Sequence, residues 1–225
     1  LSAWGLDGKT YFYTNPLRRY GREDPLLSQD TWQRWPSTMT PGAPYCYCCP
    51  PNVLRTVAEL AGWAYSVSEK SLWVNLYGAN VFDGAVPSAG RIRLVQATSY
   101  PWAGTVRLTV ETPGEFVLNL RIPAWAEGAQ VSINGRPGPA TTAGQYVALS
   151  RSWRAGDTVE LSLPMQPRLV EAHPKLEETR NQVTVMRGPV VYCLESPDLP
   201  AGVRISEVYL PAGIRFSARY DPHLL

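Results

Sequence analysis

The chain has 225 residues, 44% of them hydrophobic and 18% charged, with a net charge of +2. That is long and apolar enough for one large domain or two small ones. It carries no basic block of the kind that tracks a phosphate backbone, and no apolar run near the ~20 residues a bilayer-spanning helix needs. Nucleic acid and membrane are therefore not expected partners. The sequence starts at Leu1 with no basic-then-apolar leader in view, so the expected location is cytoplasmic; the missing Met leaves room for polypeptide upstream.

Residues 1–45 read as an ordered but irregular lead-in. Gly5-Leu6-Asp7-Gly8 signals a turn, and Thr10–Thr14 suits a short strand that stops at Asn15-Pro16. Trp32, Trp35, Pro36, Pro41 and Pro44 make the rest too apolar for disorder and too punctuated for a helix.

Residues 50–68 are expected to form a helix. Pro50-Pro51 fits a first turn, and Val53, Leu54, Val57, Leu60, Ala61 and Ala64 recur at helical spacing, with Arg55 and Glu59 on the other face. One amphipathic helix does not make a domain. Its apolar face must meet the body of the chain or polypeptide upstream of Leu1.

From residue 72 the pattern changes to β. Strands are expected at 72–77, 91–96, 105–111, 115–122, 130–133, 145–149, 158–163, 168–171, 182–186 and 190–194. Val106-Arg107-Leu108-Thr109-Val110 and Val159-Glu160-Leu161-Ser162-Leu163 alternate apolar and polar, the mark of a sheet with one buried and one wet face. Asn134-Gly135 and Thr112-Pro113-Gly114-Glu115 read as hairpin turns. The expected fold is mainly β: a helical segment over 1–71, then a β-sandwich region over 72–225 with one or two sheet domains.

Three of the four cysteines lie in Cys46-Tyr47-Cys48-Cys49, just before the helix; the fourth is Cys193. Adjacent Cα atoms are about 3.8 Å apart, whereas an unstrained disulfide wants roughly 4.4–6.8 Å. A Cys48–Cys49 bridge is thus disfavoured. Neighbouring thiols in a turn suit a soft cation such as zinc. The unpaired N–H groups and dipole of a helix start also favour the thiolate. Three readings stay open on these grounds: a disulfide cluster involving Cys193, a structural zinc site, and a catalytic thiolate. The local run supplies at most three zinc ligands, two comfortably, and His173 and His223 are distant.

The segment Cys46-Tyr47-Cys48-Cys49-Pro50-Pro51-Asn52 resembles the signature of the β-L-arabinofuranosidase family, glycoside hydrolase family 127. Leu6–Lys9 and Tyr13–Leu17 are similar to that family's lead-in to the motif. Tyr77-Gly78-Ala79-Asn80, Arg121-Ile122-Pro123-Ala124-Trp125, Val131–Gly135 and Met186–Tyr192 match as well. The resemblance covers nearly the whole chain. It implies a helical (α/α) barrel followed by β-sandwich domains, so that 1–71 would be the last remnant of the barrel. It also implies an enzyme that releases terminal L-arabinofuranose from an arabinofuranoside glycan with retention. Cys48 would be the nucleophile and a zinc ligand, Cys49 a neighbouring zinc ligand; the role of Cys46 is open. The remaining zinc ligands and the glutamate acid/base have no counterpart here and would come from a missing N-terminal barrel segment or a companion chain. The isolated chain is then expected to be inactive.

Glu23, Asp24, Asp30 and Glu59 match no catalytic position and read as solvated or structural charges. Trp102, Trp125 and Trp153 read as core or turn packing before they read as a sugar platform. Cys193, inside Val190–Leu194, reads as a small buried hydrophobe. The competing class of function is a non-catalytic scaffold or carbohydrate-binding module.

Overall fold

The computed structural model describes residues 10–12, 34–36, 49–194 and 198–221. The chain divides into two compact units, one of residues 1–62 with 172–182, the other of residues 63–171 with 183–225.

In the first unit, β1 (Thr10–Phe12) pairs antiparallel with β2 (Arg34–Pro36). The expected strand at 10–14 is thus present over its first three residues, with a partner that the proline-rich pattern hid. The helix α1 runs from Cys49 to Ala64. It stops four residues short of the expected end because, in the second unit, β3 (Tyr65–Val67) pairs with β4 (Ser71–Val74). Cross-strand pairing there overrides the end of the helical spacing.

In the second unit the strands follow in order: β5 (Asn80–Val86), β6 (Gly90–Thr98), β7 (Thr105–Val110), β8 (Gly114–Arg121), β9 (Gln130–Ile133), β10 (Arg136–Pro137), β11 (Tyr146–Trp153) and β12 (Thr158–Ser162). β13 (Pro167–Glu171), β14 (Val183–Arg187) and β15 (Val190–Tyr192) complete the set. A six-stranded sheet has the order β10-β9-β12-β7-β6-β5, and a four-stranded sheet the order β11-β8-β4-β3. β13-β14-β15 form a third sheet. Among the described residues no helix is long and apolar enough to cross a membrane.

The two large sheets face each other across one core. Ile92, Leu94, Val106, Leu108, Val110, Val159 and Leu161 come from the six-stranded sheet; Leu72, Val74, Phe116, Leu118, Leu120, Val147, Leu149 and Trp153 come from the other. Every second residue of β7 is buried, as the alternation of Val106, Leu108 and Val110 requires. Trp153 is 2% exposed, packs on Phe116 at 5.8 Å and donates its indole N–H to the Phe116 carbonyl at 3.1 Å.

Asn134 and Gly135 both have positive φ, 50° and 75°, so the β9–β10 connection is the tight hairpin expected of Asn-Gly. Thr112–Glu115 is not a hairpin turn. β7 and β8 lie in different sheets, and the segment carries the chain across the core from one to the other.

Candidate active site

The sulfur cluster is expected at the start of α1, and the structure begins that helix at Cys49. Cys46 and Cys48 lie outside the described residues, as do Glu23, Asp24, Asp30 and His223. The local setting is nonetheless informative. Pro50 and Pro51 occupy the first turn and have no N–H, so fewer free donors remain there to meet an anion than at an ordinary helix start. No acidic side chain sits in that turn to offset the positive end. Arg55 donates to the Asn52 side-chain carbonyl, about two turns into the helix.

Zinc takes four ligands in closed sites, from sulfur, imidazole or carboxylate. The soft doublet Cys48-Cys49 fits half of such a shell. Among the described residues no cluster of three or more His, Cys, Asp or Glu side chains offers the other half. His173 is exposed, and its Nδ1 accepts the Lys175 backbone N–H at 3.2 Å.

Cys193 is not the buried hydrophobe expected. It is an exposed free thiol just beyond β15. The β15 edge of the three-stranded sheet leaves Val191 and Tyr192 exposed too, so the apolar run there marks a surface and not a core. Trp153 is core, as expected; Trp125 is half-buried, and Trp102 is 45% exposed in the turn after β6.

The other segments that carried the family resemblance meet one another in the sandwich. The Tyr77 phenol donates to the Arg121 carbonyl at 2.6 Å, and burial pushes that phenol well above its ordinary pKa. Gln96 donates to the Tyr65 hydroxyl at 2.6 Å, and Tyr65 in turn donates to Asn80 Oδ1. This buried pair joins the two large sheets next to the Tyr77–Asn80 segment. The Arg168 guanidinium lies 5.8 Å from the Trp125 ring centroid and donates to the Gly188 carbonyl at 2.9 Å. Arg187 donates to the Trp102 carbonyl at 2.9 Å. A Cβ on Gly188 would stand 3.5 Å from Trp125 and 2.4 Å from Met165. These contacts are joinery that fastens the third sheet to the sandwich.

A profile of the β-L-arabinofuranosidase family 127 middle domain matches residues 71–165, and one of the glycoside hydrolase family 127 C-terminal domain matches residues 167–224. A non-reducing end β-L-arabinofuranosidase of Bifidobacterium longum subsp. longum is 32% identical over 217 residues, which are 89% of this chain and 30% of that protein. The crystal structure of a family 127 β-L-arabinofuranosidase from Geobacillus stearothermophilus superposes with a TM-score of 0.82 at 35% identity, over 99% of this chain and 35% of that one. A solved glycoside hydrolase gives a TM-score of 0.78 at 42% identity, over 91% of this chain and 33% of that one. The chain thus spans about a third of the length of these relatives. Two consecutive domain profiles, backed by relatives that share sequence and fold, place this chain in glycoside hydrolase family 127.

Proposed function

We propose that the chain is the C-terminal part of a retaining glycoside hydrolase that releases L-arabinofuranose, with Cys48 as nucleophile and zinc ligand and Cys49 as a second zinc ligand. The observation that carries the reading is the start of α1 at Cys49, directly after Cys48, with no acid in the first turn. Family membership and the Bifidobacterium relative's activity support the choice of substrate.

The residues divide the chemistry as follows. Cys48 Sγ attacks the anomeric carbon of the arabinofuranoside, and the carbon–oxygen bond to the aglycone breaks as the carbon–sulfur bond forms. The leaving oxygen takes a proton from an acid. Water then displaces the sulfur, gives its proton to the same group, and the anomeric configuration is restored. Zinc, when bound, supplies a charge that holds the sulfurs ionised at neutral pH. The acid/base and the other zinc ligands come from polypeptide outside Leu1–Leu225. Loss of an acid/base alone typically costs ~10²–10⁴-fold in rate, so the chain by itself is inactive. The exposure of Leu54 (71%) and Val57 (59%) on α1 supports further polypeptide, an N-terminal barrel segment or a companion chain, that covers this helix.

The test is zinc content and hydrolysis of a β-L-arabinofuranoside, measured on the chain alone and with the N-terminal barrel segment, joined to it or added as a companion chain. Neither alone, and both on reconstitution, supports the split site. Sugar binding without turnover or metal in the reconstituted protein contradicts it and favours a carbohydrate-binding module.

A further inference from the structure

Of the chain's asparagines only Asn134 is followed by glycine; the others precede Pro16, Val53, Leu76, Val81, Leu120 and Gln182. The difference is chemical. The backbone nitrogen of the following residue can attack the side-chain amide carbon of an asparagine, and a Cβ on that residue obstructs the approach. Gly135 has none. Its nitrogen bonds to Asn134 Cγ and gives up its proton, the Cγ–Nδ2 bond breaks, and ammonia leaves. Water then opens the cyclic imide at either carbonyl. One opening leaves an aspartyl residue, the other an isoaspartyl residue with an extra methylene in the backbone. Asn134 and Gly135 are exposed at the tip of the β9–β10 hairpin, so water reaches both.

The fold restrains this amide at both ends. Asn134 Nδ2 donates to Asp157 Oδ1 at 2.8 Å, and Asn134 Oδ1 accepts the Thr158 backbone N–H at 2.8 Å. The Asn134 backbone N–H donates to the Thr158 carbonyl at 2.9 Å, which fastens the hairpin tip to the start of β12. Asp157 is itself held in place: it is 8% exposed, and its Oδ2 accepts the Arg154 backbone N–H at 2.9 Å. Ammonia cannot leave until Nδ2 lets go of Asp157, and the amide cannot rotate until Oδ1 lets go of Thr158.

We propose that Asn134 is a site of spontaneous deamidation, that its bond to Asp157 sets how slowly it reacts, and that the product unfastens the hairpin from β12. The reaction exchanges an amide donor for a carboxylate. The Thr158 N–H keeps an acceptor, but Asp157 Oδ1 loses its donor and faces a second anion at hydrogen-bonding distance. Arg151 Nη2 lies 3.8 Å from Asp157 Oδ2 and is partly exposed, so it offsets only part of this repulsion. β9 pairs with β12 from Ile133 and Val159, directly beside the altered residue, and Ile133 packs against the core. The change therefore loosens the edge of the six-stranded sheet at β10 and β9.

The 225-residue chain is incubated at mildly alkaline pH, folded and in urea. Enzymatic methylation with labelled S-adenosylmethionine measures the isoaspartyl groups, and peptide masses locate them. In urea Asn134 is expected to react before the other asparagines, and in the folded chain at least about tenfold more slowly. Asp157→Ala is expected to raise the folded rate about tenfold, the weight of one hydrogen bond to a charged group. Asp157→Asn keeps an acceptor for Nδ2 and leaves the rate near the original. A folded chain that reacts as fast as the unfolded one, or an Asp157→Asn chain as fast as the Asp157→Ala chain, overturns the restraint. A different asparagine reacting first overturns the site. Asn134→Asp measures the consequence directly. It is expected to lower the urea midpoint more in the original chain than in the Asp157→Asn chain, where no second carboxylate meets it. Equal losses in the two backgrounds overturn the unfastening, whether or not Asp157→Ala folds.

Discussion

The Tyr146 hydroxyl donates to Asn75 Oδ1 at 2.8 Å, and the same Asn75 side chain donates to the Trp63 carbonyl at 3.2 Å and to Ser66 Oγ at 2.8 Å. Tyr146 belongs to β11 and Trp63 to the last turn of α1, so one amide ties a strand to the end of the cysteine-bearing helix. A carbonyl at a helix end has no partner inside the helix, and the Asn75 amide supplies one.

Asn75→Ala is expected to destabilise the chain by ~1 kcal/mol, the typical worth of a lost cap or hydrogen bond. Hydrogen exchange reads the effect locally. The Leu76 amide, bonded to the Ala64 carbonyl, exchanges faster, while the Leu108 amide in the centre of the six-stranded sheet does not change.

Trp153→Ala removes the largest fully buried side chain among the described residues and takes the indole donor from the Phe116 carbonyl. The expected loss is about 3–5 kcal/mol. A urea titration checks it: the midpoint falls and the slope stays the same, because the surface exposed on unfolding is nearly unchanged.

Gly188 has φ +58° and faces Met165 and Trp125. Gly188→Ala imposes a left-handed backbone on an L side chain, costing about 1–2 kcal/mol, and pushes against Met165. Arg168→Ala removes the guanidinium from Trp125 and the bond to the Gly188 carbonyl. Both changes are expected to loosen the third sheet first. Limited proteolysis then cuts within residues 167–221 sooner than within 71–165.

Asp157 is buried and its carboxyl is held below the ordinary range, first by the Arg154 backbone N–H and then by the Asn134 amide. A depressed carboxylate contributes stability that is present above its unfolded value of about 3.9 and lost as pH falls through the folded value. Asp157→Asn is therefore expected to cost stability at pH 7 and to flatten the acid limb below about pH 4. Thermal melts of both proteins across that range check the sign.

Much of the sandwich was legible because one face of each strand meets a core and the other meets water. Val106, Leu108 and Val110 announce β7 by period alone. β5 was not legible: burial alternates along Asn80–Val86 at the sheet edge, but Gly84 sits on the inner face and Val81 and Ala85 on the outer, so residue type does not follow the faces. Helical spacing ran on past Ala64 because it does not register that Tyr65–Val67 finds a strand partner. The apolar run at Val190–Leu194 gave Cys193 the wrong environment for a related reason, since sequence does not say what covers an edge strand. At the candidate site the helix start was readable from Cys49-Pro50-Pro51. The proposed zinc shell was not, since among the described residues no cluster of three or more His, Cys, Asp or Glu side chains forms. The roles of Tyr77, Arg121 and Gly188 needed the fold, which brings residues far apart in sequence into contact.

Cys48→Ala in the reconstituted enzyme is expected to cut hydrolysis by at least ~10³-fold, as removal of a covalent nucleophile does. Cys193→Ala, on an exposed thiol outside the motif, leaves the rate unchanged. Initial rates at saturating substrate distinguish the two.

The most direct measurement is the mass of the peptide that spans the cysteine motif after the reconstituted enzyme is quenched during turnover of a slow arabinofuranoside. The account predicts one added anhydropentosyl group on Cys48 Sγ, absent when substrate is omitted. A labelled carboxylate with an unmodified Cys48, or a Cys48 found oxidised in an active enzyme, would contradict it.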